Sequence, residues 1–253
     1  MILRHVCAFG LKTTLTCTAC IGVIQESVED DPVELVATPN GKKLYRQTIS
    51  RLIREDRFAE AEANLLAALE RIPSDLSAKC RALSVTAITM TGWDEVDRMI
   101  ATPVGKAGKL CTAVQIDMSN HVNSSDGSPG IEVSLYSDSA FPFSTSSKEQ
   151  LLAHNEAYCP PWTGDFEEIG SPLELTGLGL LNQELERQLV RQPQTTEGKA
   201  CFVIAELFRT MRFKQAVQRD LGARTWGRLI PVLVGSNETG PFLETVYLPQ
   251  LGR

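Results

Sequence analysis

The sequence predicts an α+β fold, with a helical N-terminal part and a mixed C-terminal part, on three observations. Between Leu44 and about Ile100 apolar residues recur at helical spacing. From about residue 104 the texture changes to short runs of β-forming residues, separated by loops dense in Asn, Ser, Asp, Gly and Pro. Helical spacing then returns in one long stretch, 198–221, followed by two further β-rich runs. These shifts divide the 253 residues into an N-terminal arm or strand-like tract (1–40), a helical region (41–103) and an α+β domain (104–253).

In chain order, residues 1–25 carry an early positive charge and later small residues, but Lys12 interrupts any apolar core of signal-peptide length. A cytoplasmic protein is expected, with a cleaved N-terminus as the alternative. The acidic stretch 26–43, closed by Pro39-Asn40-Gly41, reads as a linker or extended arm. Residues 43–55 and 58–72 follow as two helices broken near Asp56. In the second, Ala61, Leu65, Ala68 and Leu69 form one apolar stripe, and Pro73 ends it. Ser74-Asp75 opens a third helix running from Leu76 to Met90, and 92–101 reads as a fourth. Segments 108–119 and 130–138 are expected strands; in the latter Ile131, Val133 and Leu135 alternate with Glu132, Ser134 and Tyr136. Ser146 and Glu149 form a capping box for a helix over 146–158, stopped by Pro160-Pro161. Residues 171–181 read as a strand, 198–221 as the longest helix, and 228–249 as two strands about a six-residue turn.

Within the helical region, 42–75 resembles a tetratricopeptide (TPR) repeat. Tyr45 and Leu52 take the large sites of its first helix. Phe58 opens the second, followed by small Ala61, large Leu65, small Ala68 and terminal Pro73. Thr48-Ile49 departs from the pattern, where Leu-Gly is preferred. A degenerate second copy follows to about 105, with Trp93 and Val96 in the places of Phe58 and Ala61. A third echo at Phe213 and Ala216 fails by Asp220. The likeness covers about a quarter of the chain. About three copies are needed to bury a continuous core, so a helical bundle docked on another domain is expected rather than a free-standing solenoid. The resemblance implies an interaction protein with a protein or peptide partner, contacted through the first-helix residues Arg46, Ser50 and Arg54.

Composition excludes several classes. Apolar residues make up 43% and charged residues 22%, with a net charge of −6. That balance argues against nucleic-acid binding, which draws on a basic surface. Arg and Lys gather only over 209–228, which reads as a helix with a solvated basic face. No apolar run approaches the roughly 20 residues of a membrane span. The seven cysteines are odd in number and scattered, as free thiols in a reducing environment would be. Cys17-x-x-Cys20 lacks the two further ligands of a zinc site, and no metal centre is expected. A redox role is the alternative to chance adjacency. The glycine patterns of phosphate and dinucleotide loops are missing, so no cofactor is implied.

Two constellations remain. Asp117, His121 and Asp126 lie at a strand end and in the polar loop beyond it, where a carboxylate-oriented histidine beside a nucleophile would make a hydrolase; Cys111, Cys159, Ser124 and Ser125 are conceivable nucleophiles. A solvated loop histidine is the competing reading. Tyr158, Trp162 and Phe166, with two prolines and three acidic neighbours, form a candidate binding loop, because rigid aromatics lose little entropy when immobilised. A loop pinned to the core by Trp162 and Phe166 competes with it.

Overall fold

The computed structural model describes residues 31–104, 108–122, 124–137, 166–193, 195–236 and 245–247. The expected helix over 146–158, the candidate residues Tyr158 and Trp162, the Cys17–Cys20 pair and the tract 1–30 lie outside the described residues. The fold is α+β. Helices α1 (Pro32–Ala37), α2 (Pro39–Arg54), α3 (Phe58–Glu70) and α4 (Asp75–Ser84) come first. Strand β1 (Thr89–Thr91) and helix α5 (Trp93–Ile100) follow. Strands β2 (Cys111–Val122), β3 (Pro129–Ser137) and β4 (Phe166–Thr176) lead into helices α6 (Gly179–Arg191) and α7 (Thr196–Leu221). A short 3-10 turn (Trp226–Arg228) and strands β5 (Val232–Ser236) and β6 (Thr245–Tyr247) complete the order. Among the described residues no helix is long and apolar enough to cross a membrane.

The six strands form one sheet in the order β1-β4-β3-β2-β5-β6, antiparallel except for the parallel β2–β5 pair. Register puts Ile116 opposite Val133 and Val234, and Met118 opposite Ile131, so one face is a continuous apolar surface. That face, the helices and α7 share one core running from Val36 to Val234. The boundary expected at 103/104 is crossed repeatedly: β1 pairs with β4, α7 packs against α1, α3 and α4, and α6 packs against α4. Helix α7 is buried almost all round, with Ile204, Leu207, Phe208, Met211 and Phe213 fully enclosed. A helix apolar on more than one side is what a two-layer core requires at its centre.

Four expectations are corrected. Residues 32–43 are helical rather than an extended arm. Pro39 has the φ of a first helical position, and the Thr38 hydroxyl accepts from the Gly41 N–H at 3.0 Å, so the Pro-Asn-Gly tract starts a helix. The helix expected to reach Met90 stops at Ser84, and β-branched Thr89 and Thr91 flank Met90 in an edge strand whose Thr89 hydroxyl meets that of Thr176 at 2.6 Å. Strand β4 ends at Thr176, and the Leu-Gly-Leu-Leu run beyond it begins a helix. Gly177, at φ +99°, makes the corner, and Gly179 passes so close to the Asp126 carbonyl oxygen that a Cβ would lie 1.9 Å from it.

The basic stretch 209–228 is not a solvated face. Arg209 and Lys214 are buried. Arg212 reaches Glu62 and donates to the Thr86 carbonyl at 2.9 Å, while Arg219 donates to the Ile88 carbonyl at 2.9 Å. These cations satisfy backbone carbonyls just past the end of α4, where positive charge is favoured.

Candidate functional site

The first turns of α2 and α7 meet at a groove of about 500 Å³. Val36, Ala37, Thr38, Pro39 and Lys42 form one wall, from the α1–α2 elbow; Pro193, Thr196, Lys199, Phe202 and Val203 form the other. Local sequence builds both walls. Thr38 is extended between two helices and caps α2. Thr195 caps α7 in the same manner, its hydroxyl accepting from the Gly198 N–H at 3.0 Å. Each cap sends its helix off with a lysine on the first turn, four residues on, and the two lysines border one space.

Electrostatics in the groove are unbalanced. Burial and the neighbouring Arg46 guanidinium hold the Lys42 amine below its ordinary pKa, with Glu206 opposing them. Glu206 belongs to Arg46, at 3.3 Å, and burial raises its own pKa. Among the described residues neither Lys42 nor Lys199 has an ion-pair partner. Behind Glu206 a buried polar chain continues through α7. Arg209, which burial lowers to about 10, donates to the Asn182 side-chain oxygen, and Asn182 donates to the Gly127 carbonyl at 3.2 Å and to Glu186 at 3.0 Å. That chain holds α2, α7 and α6 in fixed relation, and so fixes the groove's width.

The exposed first-helix face expected of Arg46, Ser50 and Arg54 is not found. Ser50 is only 1% exposed, and the Arg46 side chain, 17% exposed, is tied to Glu206. The Arg54 side chain lies outside the described part of the structure. Helix α7 packs against α1, α2 and α3, and its Glu206 takes up the Arg46 side chain. Lys42, Lys199, Thr196 and Phe202 escaped sequence reasoning, because Lys42 lay in a supposed linker and the α7 cap was not set beside it. The local pattern the two lysines share, a threonine with a lysine four residues later, also occurs at Thr102–Lys106 and Thr210–Lys214, so it does not single them out.

The structure gives Asp117 and Asp126 separate partners. Asp126 is a staple: one carboxylate oxygen accepts from the Ser124 hydroxyl and the Ser128 N–H, both at 2.8 Å, and the other from the Gly177 N–H at 2.7 Å. These donors outweigh partial burial and hold its pKa down to about 2, so it joins the β2–β3 turn to the β4–α6 corner and has no proton to trade near neutrality. Asp117 lies between the core residues Ile116 and Met118 in β2, opposite Glu132. Gln115 donates to it at 2.5 Å and accepts from the Tyr136 hydroxyl at 2.7 Å. Burial first, and Glu132 second, raise Asp117 to about 6, against Gln115 and the buried Lys214. His121 lies in β2, four residues on, with its side chain outside the described part. Phe166 opens β4 opposite Tyr136.

Of the conceivable nucleophiles, Cys111 is buried, its thiol raised to about 11, the Ser124 hydroxyl donates to Asp126 and to the Ser128 carbonyl, Ser125 is exposed, and Cys159 lies outside the described residues. Cys80 and Cys201 are likewise free and buried. Among the described residues no group of His, Cys, Asp and Glu is placed to hold a metal ion. Comparison of the chain with protein-family models, with curated proteins and with solved structures found no match.

Proposed function

We propose that this protein is a non-catalytic interaction protein that takes an acidic, partly apolar segment of a partner protein into the groove between the α1–α2 elbow and the start of α7. One observation carries the reading: a cavity of about 500 Å³ bordered by two lysines without ion-pair partners and by apolar Val36, Phe202 and Val203. A few convergent charges on a mostly apolar concavity are the usual anatomy of a recognition site. Helices α2 and α3 are read as a TPR-like hairpin. Support comes from the burial of Tyr45, Leu52, Phe58, Ala61, Leu65 and Ala68, the residues on which the resemblance rests. In this reading α7 occupies the hairpin's side, and recognition moves to the rim where α2 and α7 begin.

The test is selection from a displayed random-peptide library against the full chain. Enrichment of peptides pairing Asp or Glu with a large apolar residue is expected, with loss of that enrichment in Lys42→Glu/Lys199→Glu. Selected peptides without acidic bias, or binding untouched by the double variant, would sink the proposal.

One observation favours a second reading. Asp117, titrating near 6 within a Tyr136–Gln115–Asp117 hydrogen-bond chain, has the pKa of a general base for hydrolysis. It ranks below the first because Cys111 is buried and Ser124 is already committed, which leaves exposed Ser125 alone among the described candidates. Turnover of a panel of ester and phosphoester substrates that vanished in Asp117→Asn would reverse that order; no turnover would remove this reading.

A further inference from the structure

We infer that the group held between Lys42 and Lys199 is a phosphomonoester, carried on a phosphorylated side chain of the partner segment. This rests on the groove being the binding surface, and goes further by naming what the groove selects. The choice between a phosphate and a carboxylate is decided by charge. The groove offers two ammonium groups without ion-pair partners and the first turns of two long helices, α2 and α7. Each helix start carries roughly half a positive charge, Glu197 on the first turn of α7 offsets part of the total, and a phosphomonoester carries about −1.5 to −2 near neutral pH. A single carboxylate would leave about half of the remaining positive charge uncompensated, since Glu206 is already bound to Arg46.

Residue chemistry agrees with the charge. Lysines act as mobile point charges that follow a tetrahedral group, whereas a planar carboxylate is matched by the arginine fork. Here the arginine is turned inward to Glu206, and the lysines are left for the ligand. Thr196 adds a hydroxyl to the lining. Phe202, with Pro39 on the opposite wall, supplies apolar surface for the residue beside the phosphate. A free inorganic phosphate would leave that surface wet, so the apolar wall argues for an organic phosphoester.

The experiment is calorimetric titration of the full chain with four probes: a short peptide with one phosphoserine between two leucines, the same peptide with aspartate there, the same with serine, and inorganic phosphate. The phosphopeptide is expected to bind at least about tenfold more tightly than the aspartate peptide and than inorganic phosphate, with affinity falling as salt rises. Lys42→Gln and Lys199→Gln are each expected to weaken it by about tenfold, with an unchanged circular-dichroism spectrum confirming that the variants fold. Equal binding of the aspartate and phosphoserine peptides would overturn this inference and leave the acidic-segment reading standing. Binding of inorganic phosphate as tight as the phosphopeptide would overturn the phosphorylated-segment assignment, and would place a free anion in the groove instead. Failure of every probe would overturn both, as would phosphopeptide binding indifferent to both substitutions.

Discussion

At the scale of single residues, two aspartates nine positions apart respond to pH in opposite senses, and their surroundings say why. Asp117 loses hydration on folding and faces Glu132 across the β2–β3 ladder, so its folded pKa of about 6 lies above the roughly 3.9 of an unfolded chain. A raised carboxyl contributes stability below about pH 4, and that contribution drains away as pH climbs through 6, in all about 2–3 kcal/mol. Asp117→Asn keeps the shape and an acceptor for Gln115 but cannot ionise. The variant is expected to match the wild type in urea unfolding near pH 4 and to exceed it by about 2 kcal/mol at pH 7.5. A gap that did not widen with pH would mean that Asp117 is better solvated than its neighbours suggest. Asp126 runs the other way. Its pKa of about 2 means that its staple is intact above pH 4 and is released as acid approaches pH 2, so the β2–β3 turn is the first place where acid is expected to loosen the fold.

At the scale of elements, the β4–α6 corner shows where sequence reading succeeds and where it stops. Helices α2, α3, α5 and α7 and strands β2 and β3 were legible because each carries its period over several turns or pleats, and the α3 stripe Ala61, Leu65, Ala68 and Leu69 is buried in full. Strand β1 was not legible: three residues with one buried side chain have no period to read, and pairing with Thr176, Leu175 and Glu174 alone makes them a strand. Helix α6 was hidden because Leu178, Leu180 and Leu181 continue the apolar texture of β4. The chain changes direction at Gly177, whose N–H is claimed by an aspartate 51 positions earlier. The corner also predicts a specific weakness. Gly179→Ala drives a Cβ into the Asp126 carbonyl, a backbone atom that cannot swing aside, so the turn or the helix must shift. A loss of about 2–3 kcal/mol in urea unfolding is expected, which reverses the gain of up to about 1 kcal/mol that Ala usually has over Gly in a helix. A neutral or stabilising result would show that the corner relaxes freely.

At the scale of the whole molecule, the groove and the core pose the same problem for a reader of sequence, since both depend on residues far apart in the chain. Lys42 and Lys199 border one groove only because α7 returns across the helices, and the sequence divides at residue 103 on a change of texture that the shared core ignores. That core makes a prediction about cooperativity. Phe208, in the middle of α7, is fully enclosed. Replacing it with alanine costs about 3–5 kcal/mol wherever the surroundings cannot collapse. Tryptophan fluorescence reports on Trp162 and on Trp93 and Trp226, the latter two with rings 6.3 Å apart where α5 meets the 3-10 turn, and far-ultraviolet circular dichroism reports on all the helices. If 41–103 were an independent helical domain, Phe208→Ala would leave part of the helical signal melting at its old midpoint. With one core joining α3, α4, α7 and the sheet, both signals are expected to stay superimposed in a single transition and to move together to lower urea. Two midpoints in the variant, or a helical plateau outlasting the tryptophan signal, would show that α7 is a bridge between two cores rather than the centre of one.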